Sequence, residues 1–307
     1  MSGIDQQSEK KKDTQGRSEK SLAISVIMPA YNEEAAITSQ IDAIRDVLNS
    51  DSVEYELIVV DDGSEDGTAG KAFEADVRVL NHPENRGYGA ALKTGIDAAK
   101  YDTVVIIDAD GTYPADAIPH LIKKARDYDM VVGARIGPNV HISLTRKPAK
   151  WFLQKLAGYL AGRNIPDLNS GLRVMKKSVV QKFYGILPSG YSFTTTITLA
   201  FYCNDYLIYY YPIDYKPRIG QSKIRPIDAY HFLLLVLRTI VYFNPLKVFL
   251  PLGGILFVLG FGKFVYDLFL RNLSESAILG FLGGVIIWAI GLLSDQIAKT
   301  GLGSRTK

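Results

Sequence analysis

Residues 103–110 read Thr103-Val104-Val105-Ile106-Ile107-Asp108-Ala109-Asp110. An unbroken run of β-branched residues, with no alternation of polar and apolar, describes a strand covered on both faces, the habit of a parallel sheet. Two carboxylates follow at once, so they leave the end of a rigid strand. Working outward, runs of the same kind recur at 24–28 (ISVIM), 56–60 (ELIVV), 77–80 (VRVL) and 130–134 (MVVGA). Between them, 33–48 and 88–99 read as amphipathic helices. Strand and helix in alternation predict a doubly wound, mostly parallel α/β sheet. Ligands of such sheets bind beyond the carboxyl ends of the strands. The residues there are Asn32-Glu33, Asp61-Asp62-Gly63, Asn81 and Asp108-Ala109-Asp110, so the predicted cleft is rich in carboxylates.

The chain has 307 residues, enough for one large domain or two small ones. With 35 Lys and Arg against 32 Asp and Glu, its formal charge of +3 is too balanced to suggest nucleic acid as a partner. The single cysteine, Cys203, excludes an intramolecular disulfide and a thiolate metal cluster and fits a reducing compartment. None of the 4 histidines stands at a spacing that suggests a zinc site or a Ser-His-Asp triad, and His141 and His231 read as incidental. Residues 1–21 are polar and mixed in charge, unlike a signal or transit peptide, and read as a disordered tail. Its Lys10-Lys11-Lys12 run is either solvated or in touch with anionic lipid.

Beyond Arg135 come a basic stretch around Arg146-Lys147, a helical pattern over 149–161, and Asp167-Leu168-Asn169-Ser170-Gly171 leading into a strand at Arg173-Val174-Met175. This region is expected to cap the cleft. A helix over 194–203, an aromatic strand over 206–216 and Gly220-Gln221-Ser222-Lys223 complete a catalytic domain predicted to span 22–225.

The long apolar runs fall after Tyr230. Residues 226–245 read as an interfacial amphipathic helix, since Asp228, His231 and Arg238 suit a membrane surface better than a span. Two spanning helices are predicted within 246–299. The first, 248–270, is uncharged to Gly262 and then carries Lys263 and Asp267, so it reaches the roughly 20 residues of a span only with those two near the interface. The second, 277–293, has no charge at all. The competing reading is a pair of core helices in a larger soluble domain, against which stand their length and the lack of a polar face. The loop 271–276 has one basic residue, whereas Arg238, Lys247, Lys299, Arg305 and Lys307 flank the other ends. The positive-inside rule then puts the catalytic domain and both termini, including the tail 300–307, in the cytoplasm. Gly280 and Gly284 form a small-xxx-small pair that packs helices, or protomers of a homo-oligomer, or stands there by chance.

The carboxylates of Asp108 and Asp110 can share a divalent cation, and oxygen ligands suit Mg2+ or Mn2+. Such an ion would bridge the diphosphate of a nucleotide sugar and neutralise the leaving group. The bland alternative is a solvated turn; the strand before it and the second acidic cluster favour chemistry. In Asp61-Asp62-Gly63-Ser64 a carboxylate can accept a hydrogen bond from a base imide or a ribose hydroxyl, although Asp-Gly is also a common turn. Residues 85–92 (NRGYGAAL) fail as a dinucleotide fingerprint, because Leu92 replaces the third glycine and the motif lies well past the strand. Arg86 there can reach a phosphate, and packing explains the glycines equally well. Arg135, at the end of MVVGA, is the best-placed cation for the diphosphate, with Arg146, Lys147, Arg173 and Lys223 as later candidates. Each alone reads equally as a surface charge.

Seven motifs in order, PAYNEE (29–34), VVDDGSEDGT (59–68), NRGYGAALKTGI (85–96), IIDADGTYP (106–114), VVGAR (131–135), DLNSGLRV (167–174) and GQSKI (220–224), resemble those of family 2 glycosyltransferases of the dolichol-phosphate mannose synthase and polyprenyl-phosphate glycosyltransferase group. The C-terminal hairpin is similar to that of its membrane-anchored bacterial and archaeal members. The resemblance implies a GT-A fold and inverting transfer of a hexose, from a donor of GDP-mannose or UDP-glucose type, to dolichyl or undecaprenyl phosphate. It further implies that Pro29, Tyr31, Glu33 and Asp62 hold the nucleoside, together with Asp108. Asp108 and Asp110 match the metal and diphosphate motif, Arg135 matches a cleft arginine, and Asp167, Ser170 and Arg173 match the acceptor-side motif. Asp110, Asp167 and Arg135 are thus the catalytic candidates, and Arg146, Ser170, Arg173 and Lys223 the acceptor-phosphate candidates. Thr112 stands where many relatives carry a glutamine, so the resemblance does not extend to that metal ligand. A phosphate acceptor is already anionic near neutral pH, so attack needs positioning and charge shielding more than a strong base, and Asp167 would orient the acceptor. A processive polysaccharide synthase would share the nucleotide half, but the Gln-x-x-Arg-Trp motif is absent: the two tryptophans are Trp151 and Trp288. A non-catalytic membrane scaffold is the rival from another class, against which the intact Asp108 and Asp110 argue.

Overall fold

The computed structural model describes residues 23–136, 155–159, 162–190, 192–216, 227–272 and 274–303. Arg146, Lys147, Lys223 and the tail 1–21 lie outside the described residues, as does most of the helix expected over 149–161, of which 155–159 is helical.

Seven strands form one sheet: β1 (Ile24–Ala30), β2 (Tyr55–Asp61), β3 (Arg78–Asn81), β4 (Thr103–Ile106), β5 (Met130–Ala134), β6 (Arg173–Lys176) and β7 (Ile208–Pro212). Their order is β3-β2-β1-β4-β6-β5-β7. β6 runs antiparallel to both neighbours, β4 and β5, and the other pairs are parallel. The helices are α1 (Ile37–Ser50), α2 (Thr68–Glu74), α3 (Tyr88–Ala98), α4 (Ile118–Lys124), α5 (Lys177–Gln181), α6 (Phe193–Cys203), α7 (Ile227–Phe243), α8 (Leu246–Phe269) and α9 (Glu275–Gly303).

The unbroken apolar runs have the cause expected of them. Alternate residues of β1 enter opposite cores: Ile24, Val26 and Met28 pack under α1 and α4, and Ile27 packs with Ile58, Val104 and Ile106 under α3 and α6. Both faces are dry, so a polar residue on either would cost hydrogen-bonding free energy. A third, smaller cluster joins Ala157, Ile165 and Leu168 to Leu199 of α6, Val236 and Ile240 of α7, and Val248 of α8. Through it the loop 165–168 rests on the two helices that lead out of the domain.

Helix α1 starts at Ile37, four residues later than the amphipathic pattern suggested. Asn32 takes a left-handed φ of 55°, and the next amides point sideways: those of Asn32, Glu33 and Glu34 donate to Ser64 Oγ, Thr68 Oγ1 and Asp66 Oδ2 at 2.9, 2.9 and 3.3 Å. The left-handed Asn32 and this lacing to the 64–68 loop hold the segment as a turn, closed by the Ala36 and Ile37 amides on Glu33 O at 3.0 Å, before the helix begins.

Register brings the strand ends into line. Ala30 lies opposite Asp61, Ile27 opposite Ile106, and Arg173 opposite both Ile106 and Val132. Because β6 is antiparallel, its beginning meets the carboxyl ends of the parallel strands. The loop 167–172 therefore arrives at the same edge as Tyr31, Asp61 and Asp108.

Helices α8 and α9 pack side by side over 24 and 29 residues, about 36 and 43 Å at the α-helical rise. Each exceeds the roughly 30 Å hydrocarbon thickness of a bilayer. Only 11% of the apolar stretch of α8 and 17% of that of α9 is buried, which speaks against the core-helix reading. Gly280 and Gly284 pack inside this hairpin, against Gly260 and Phe257. Lys263 and Asp267 gather at its turn, where the Asp267 carboxylate accepts the Ser274 amide at 3.0 Å and pairs with Lys263 at 3.3 Å.

Candidate active site

Asp108 and Asp110 follow β4 into the cleft. The Tyr88 hydroxyl, from the first residue of α3, donates to Asp108 Oδ1 at 2.8 Å. Gly171 backs onto the same carboxylate so closely that a Cβ would collide with it, and its amide donates to the Tyr113 hydroxyl at 2.7 Å. Burial, reinforced at Tyr88 by the Asp108 charge, pushes both phenols up, so Tyr88 stays a donor. Asp110 is buried, and its Oδ1 accepts the amide and hydroxyl of Thr112 at 3.1 and 2.6 Å. Thr112 therefore acts on Asp110 rather than standing in for the missing glutamine. Among the described residues no group of three or more His, Cys, Asp and Glu could hold an ion by itself. Two hard oxygen donors fit an ion that completes its shell from a substrate diphosphate, the habit of Mg2+ and of metals like it.

On the α1 side, Pro29 is buried at the end of β1, and Tyr31 and Glu33 are half-buried in the loop laced to residues 64–68. The two carboxylates ending β2 separate sharply. Asp62, expected to face the nucleoside, is held by the protein: Oδ1 meets His82 Nδ1 at 2.6 Å and accepts the Arg86 amide at 3.0 Å, and Oδ2 accepts the Gly87 amide at 2.8 Å. Oδ2 keeps a second lone pair for the nucleoside contact expected of Asp62. Asp61 is equally buried; its Oδ2 accepts the Ser64 amide at 3.2 Å, while its Oδ1 has no hydrogen-bond partner. A buried carboxylate oxygen left unsatisfied is costly and takes its donor from a water or a ligand. The sequence signalled the Asp61-Asp62 pair without saying which member faces the cleft, and it gave no sign of His82.

Across the cleft, Arg135 and Asp167 form a two-pronged pair: Nε to Oδ2 and Nη2 to Oδ1, both 2.8 Å, with the Arg135 amide adding a third bond at 3.0 Å. The guanidinium also lies over the Tyr215 ring, 5.3 Å from its centre. Burial works against its charge, but the bonds to Asp167 more than restore it and its pKa ends above the usual arginine value. This fixes a positive group at the same sheet edge as the carboxylates of the β4 loop.

Ser170 and Arg173 do not face the cleft, which corrects their expected contact with an acceptor phosphate. Both are 0% exposed. Ser170 Oγ donates to Gly133 O at 2.5 Å. The Arg173 guanidinium donates to Ser170 O at 2.8 Å, Leu168 O at 2.9 Å and Thr198 Oγ1 at 2.6 Å. Burial lowers its pKa, and the carbonyls it gathers belong to the loop that carries Asp167. Arg173 is a strut beneath that loop.

Comparison with known proteins agrees with this geometry. Residues 25–184 match the family described as glycosyl transferase family 2, and residues 244–300 match the GtrB C-terminal hairpin. The chain is 29% identical over 301 residues to the bactoprenol glucosyl transferase of Shigella phage SfV, covering 92% of this chain and 96% of that one. It is 32% identical over 206 residues to the dolichyl-phosphate hexose transferase of Haloferax volcanii, covering 66% and 87%. Among solved structures, glucosyl-3-phosphoglycerate synthase from Mycobacterium tuberculosis, in complex with Mn2+, UDP-glucose and glycerol 3-phosphate, aligns with a TM-score of 0.54 at 27% identity over 72% of this chain and 79% of that one. A sheet of this order, carboxylates at the end of β4 and a hairpin suited to membrane anchoring have one common explanation: the chain belongs to glycosyl transferase family 2 and is a glycosyltransferase with a GT-A fold.

Proposed function

We propose that the chain transfers a hexose, with inversion, from a nucleoside-diphosphate sugar to a polyprenyl phosphate at the cytoplasmic face of a membrane. The observation that carries this reading is the joining of two things: a carboxylate pair at the end of β4 on the same sheet edge as the Arg135–Asp167 pair, and a hairpin long enough to span a bilayer. Relatives over most of the chain's length bear the names of bactoprenol glucosyl and dolichyl-phosphate hexose transferases.

Asp108 and Asp110 hold Mg2+ or Mn2+ together with the donor diphosphate, and the ion supplies charge neutralisation at the leaving group. Pro29, Tyr31 and Glu33 line the nucleoside, and Asp61 Oδ1 accepts an N–H or O–H from it. Uracil and guanine both offer a ring N–H and cytosine does not, which suits donors of the UDP and GDP classes. Arg135 shields the two phosphates as they approach; Asp167 takes the Nε–Nη2 edge of its guanidinium, which leaves Nη1 for them. The acceptor enters already ionised, so the protein's part is to orient it and exclude water. Lys247 near the start of α8 and Lys299 near the end of α9 share one end of the hairpin, and Arg238 lies on α7 before it, in keeping with a cytoplasmic placement. The domain boundaries at 22–225, 226–245 and 246–299 belong to this same reading.

The test is to incubate membranes containing the chain with radiolabelled nucleotide sugars and polyprenyl phosphate and to follow label into the lipid phase. Asp108→Asn and Asp110→Asn should each lower transfer about a hundredfold or more. Full activity in either variant, or no label in lipid from any donor, sinks the reading.

A further inference from the structure

The ring of His82 is buried between Asp62 and Thr94, and the proposed reaction does not use it. Its Nδ1 lies 2.6 Å from Asp62 Oδ1 and its Nε2 2.9 Å from Thr94 Oγ1. Facing a carboxylate that can only accept, Nδ1 carries the proton. The same carboxylate receives the amides of Arg86 and Gly87, the last two residues before α3. Gly87 sits at φ +98° with Ser189 O closing on the place of a Cβ, so this turn tolerates little rearrangement. The very next residue is Tyr88, whose hydroxyl reaches Asp108. Thr94 lies on the same helix, so His82 ties the chain after β3 to α3 both directly and through the turn before it.

We propose that His82 is a positioning residue for the carboxylate pair: by holding Asp62 on the amides of Arg86 and Gly87, it sets the start of α3 so that Tyr88 orients Asp108. The proposal rests on the metal role proposed for Asp108. Asp62 then has a part in supporting the site, which accounts for the three protein donors on its buried carboxylate.

Three substitutions separate this role from simple space-filling. In His82→Asn the amide takes the place of Nδ1–H, in His82→Gln that of Nε2, and His82→Ala removes both. In the full chain in lipid nanodiscs, hydrogen exchange over 83–92 should rise about tenfold at the Arg86 and Gly87 amides in the Ala and Gln variants and stay near wild type in Asn. Mn2+ binding with UDP, and in parallel with GDP, read from the paramagnetic resonance of free Mn2+, should weaken about tenfold in His82→Ala and His82→Gln and likewise in Tyr88→Phe. The double variant His82→Ala/Tyr88→Phe should bind no more weakly than the worse single variant, because both break one line of bonds. Unchanged exchange in His82→Ala overturns the clamp. Lost protection with unaltered Mn2+ binding, or additive losses, overturns its link to Asp108. A wild-type chain that binds Mn2+ with neither nucleotide overturns the metal reading and that link with it, while the exchange pattern still reports the clamp separately.

Discussion

Asp61 and Asp62 are neighbours in sequence and alike in burial, yet one has an oxygen without a partner and the other has a protein donor on each. The difference comes from the pleat: successive side chains at a strand end point to opposite faces, so only the register decides which carboxylate meets the cleft. That register was not legible from a pair of adjacent aspartates. It predicts an asymmetric outcome for Asp61→Asn. The amide oxygen still accepts the Ser64 N–H and the unsatisfied charge disappears, so the melting temperature should hold or rise. Nucleoside-diphosphate affinity should fall about tenfold, since a donor replaces an acceptor. Calorimetry and nucleotide titration on one sample check both halves, and a lower melting temperature with intact affinity would contradict the assignment. Arg173 was misjudged for a related reason. A guanidinium after a polar loop reads as a phosphate ligand, and only the close packing of β6 between β4 and β5 shows that it serves carbonyls instead.

At the scale of elements, most of the fold was legible because both the strands and the spanning helices are written in long unbroken apolar runs. Boundaries were less so: α1 begins late because residues 32–34 are laced to another loop, a non-local fact. The hairpin glycines show the same limit, since spacing alone left their partner open. Added Cβ atoms would meet Gly280 and Phe281 at Gly260, the Trp288 ring at Gly253 and the Phe257 backbone at Gly284, whereas at Gly283 one would meet nothing. Gly260→Val should therefore force α8 and α9 apart and destabilise the hairpin by about 2 kcal/mol, with Gly283→Ala near neutral. Thermal unfolding in detergent micelles distinguishes the two, and equal stability would show that the helices do not pack through these residues.

For the whole molecule, the two sheet cores contain, among the described residues, none beyond Phe243, whereas the cluster under loop 165–168 reaches Val248. A chain ended after Phe243 keeps the interfacial helix and should keep its nucleotide affinity, pass from the integral to the carbonate-extractable membrane fraction, and transfer sugar to a short-chain, water-soluble polyprenyl phosphate far better than to the bilayer-borne lipid. Loss of nucleotide binding on truncation would show that the hairpin helps to fold the catalytic domain. The place of β6 has a further consequence, one of timing. As the chain is synthesised, β1 to β4 can pair as soon as they emerge, but β5 has no neighbour on the growing sheet until β6 arrives to fill the gap beside β4. At about 5–20 residues per second, several seconds separate Ile106 from Lys176 on the ribosome. The nucleotide half thus closes first, and the Arg135–Asp167 pair is assembled only when the later strands slot in. A newborn chain stalled between the two would hold the donor's carboxylates without the pair that faces them.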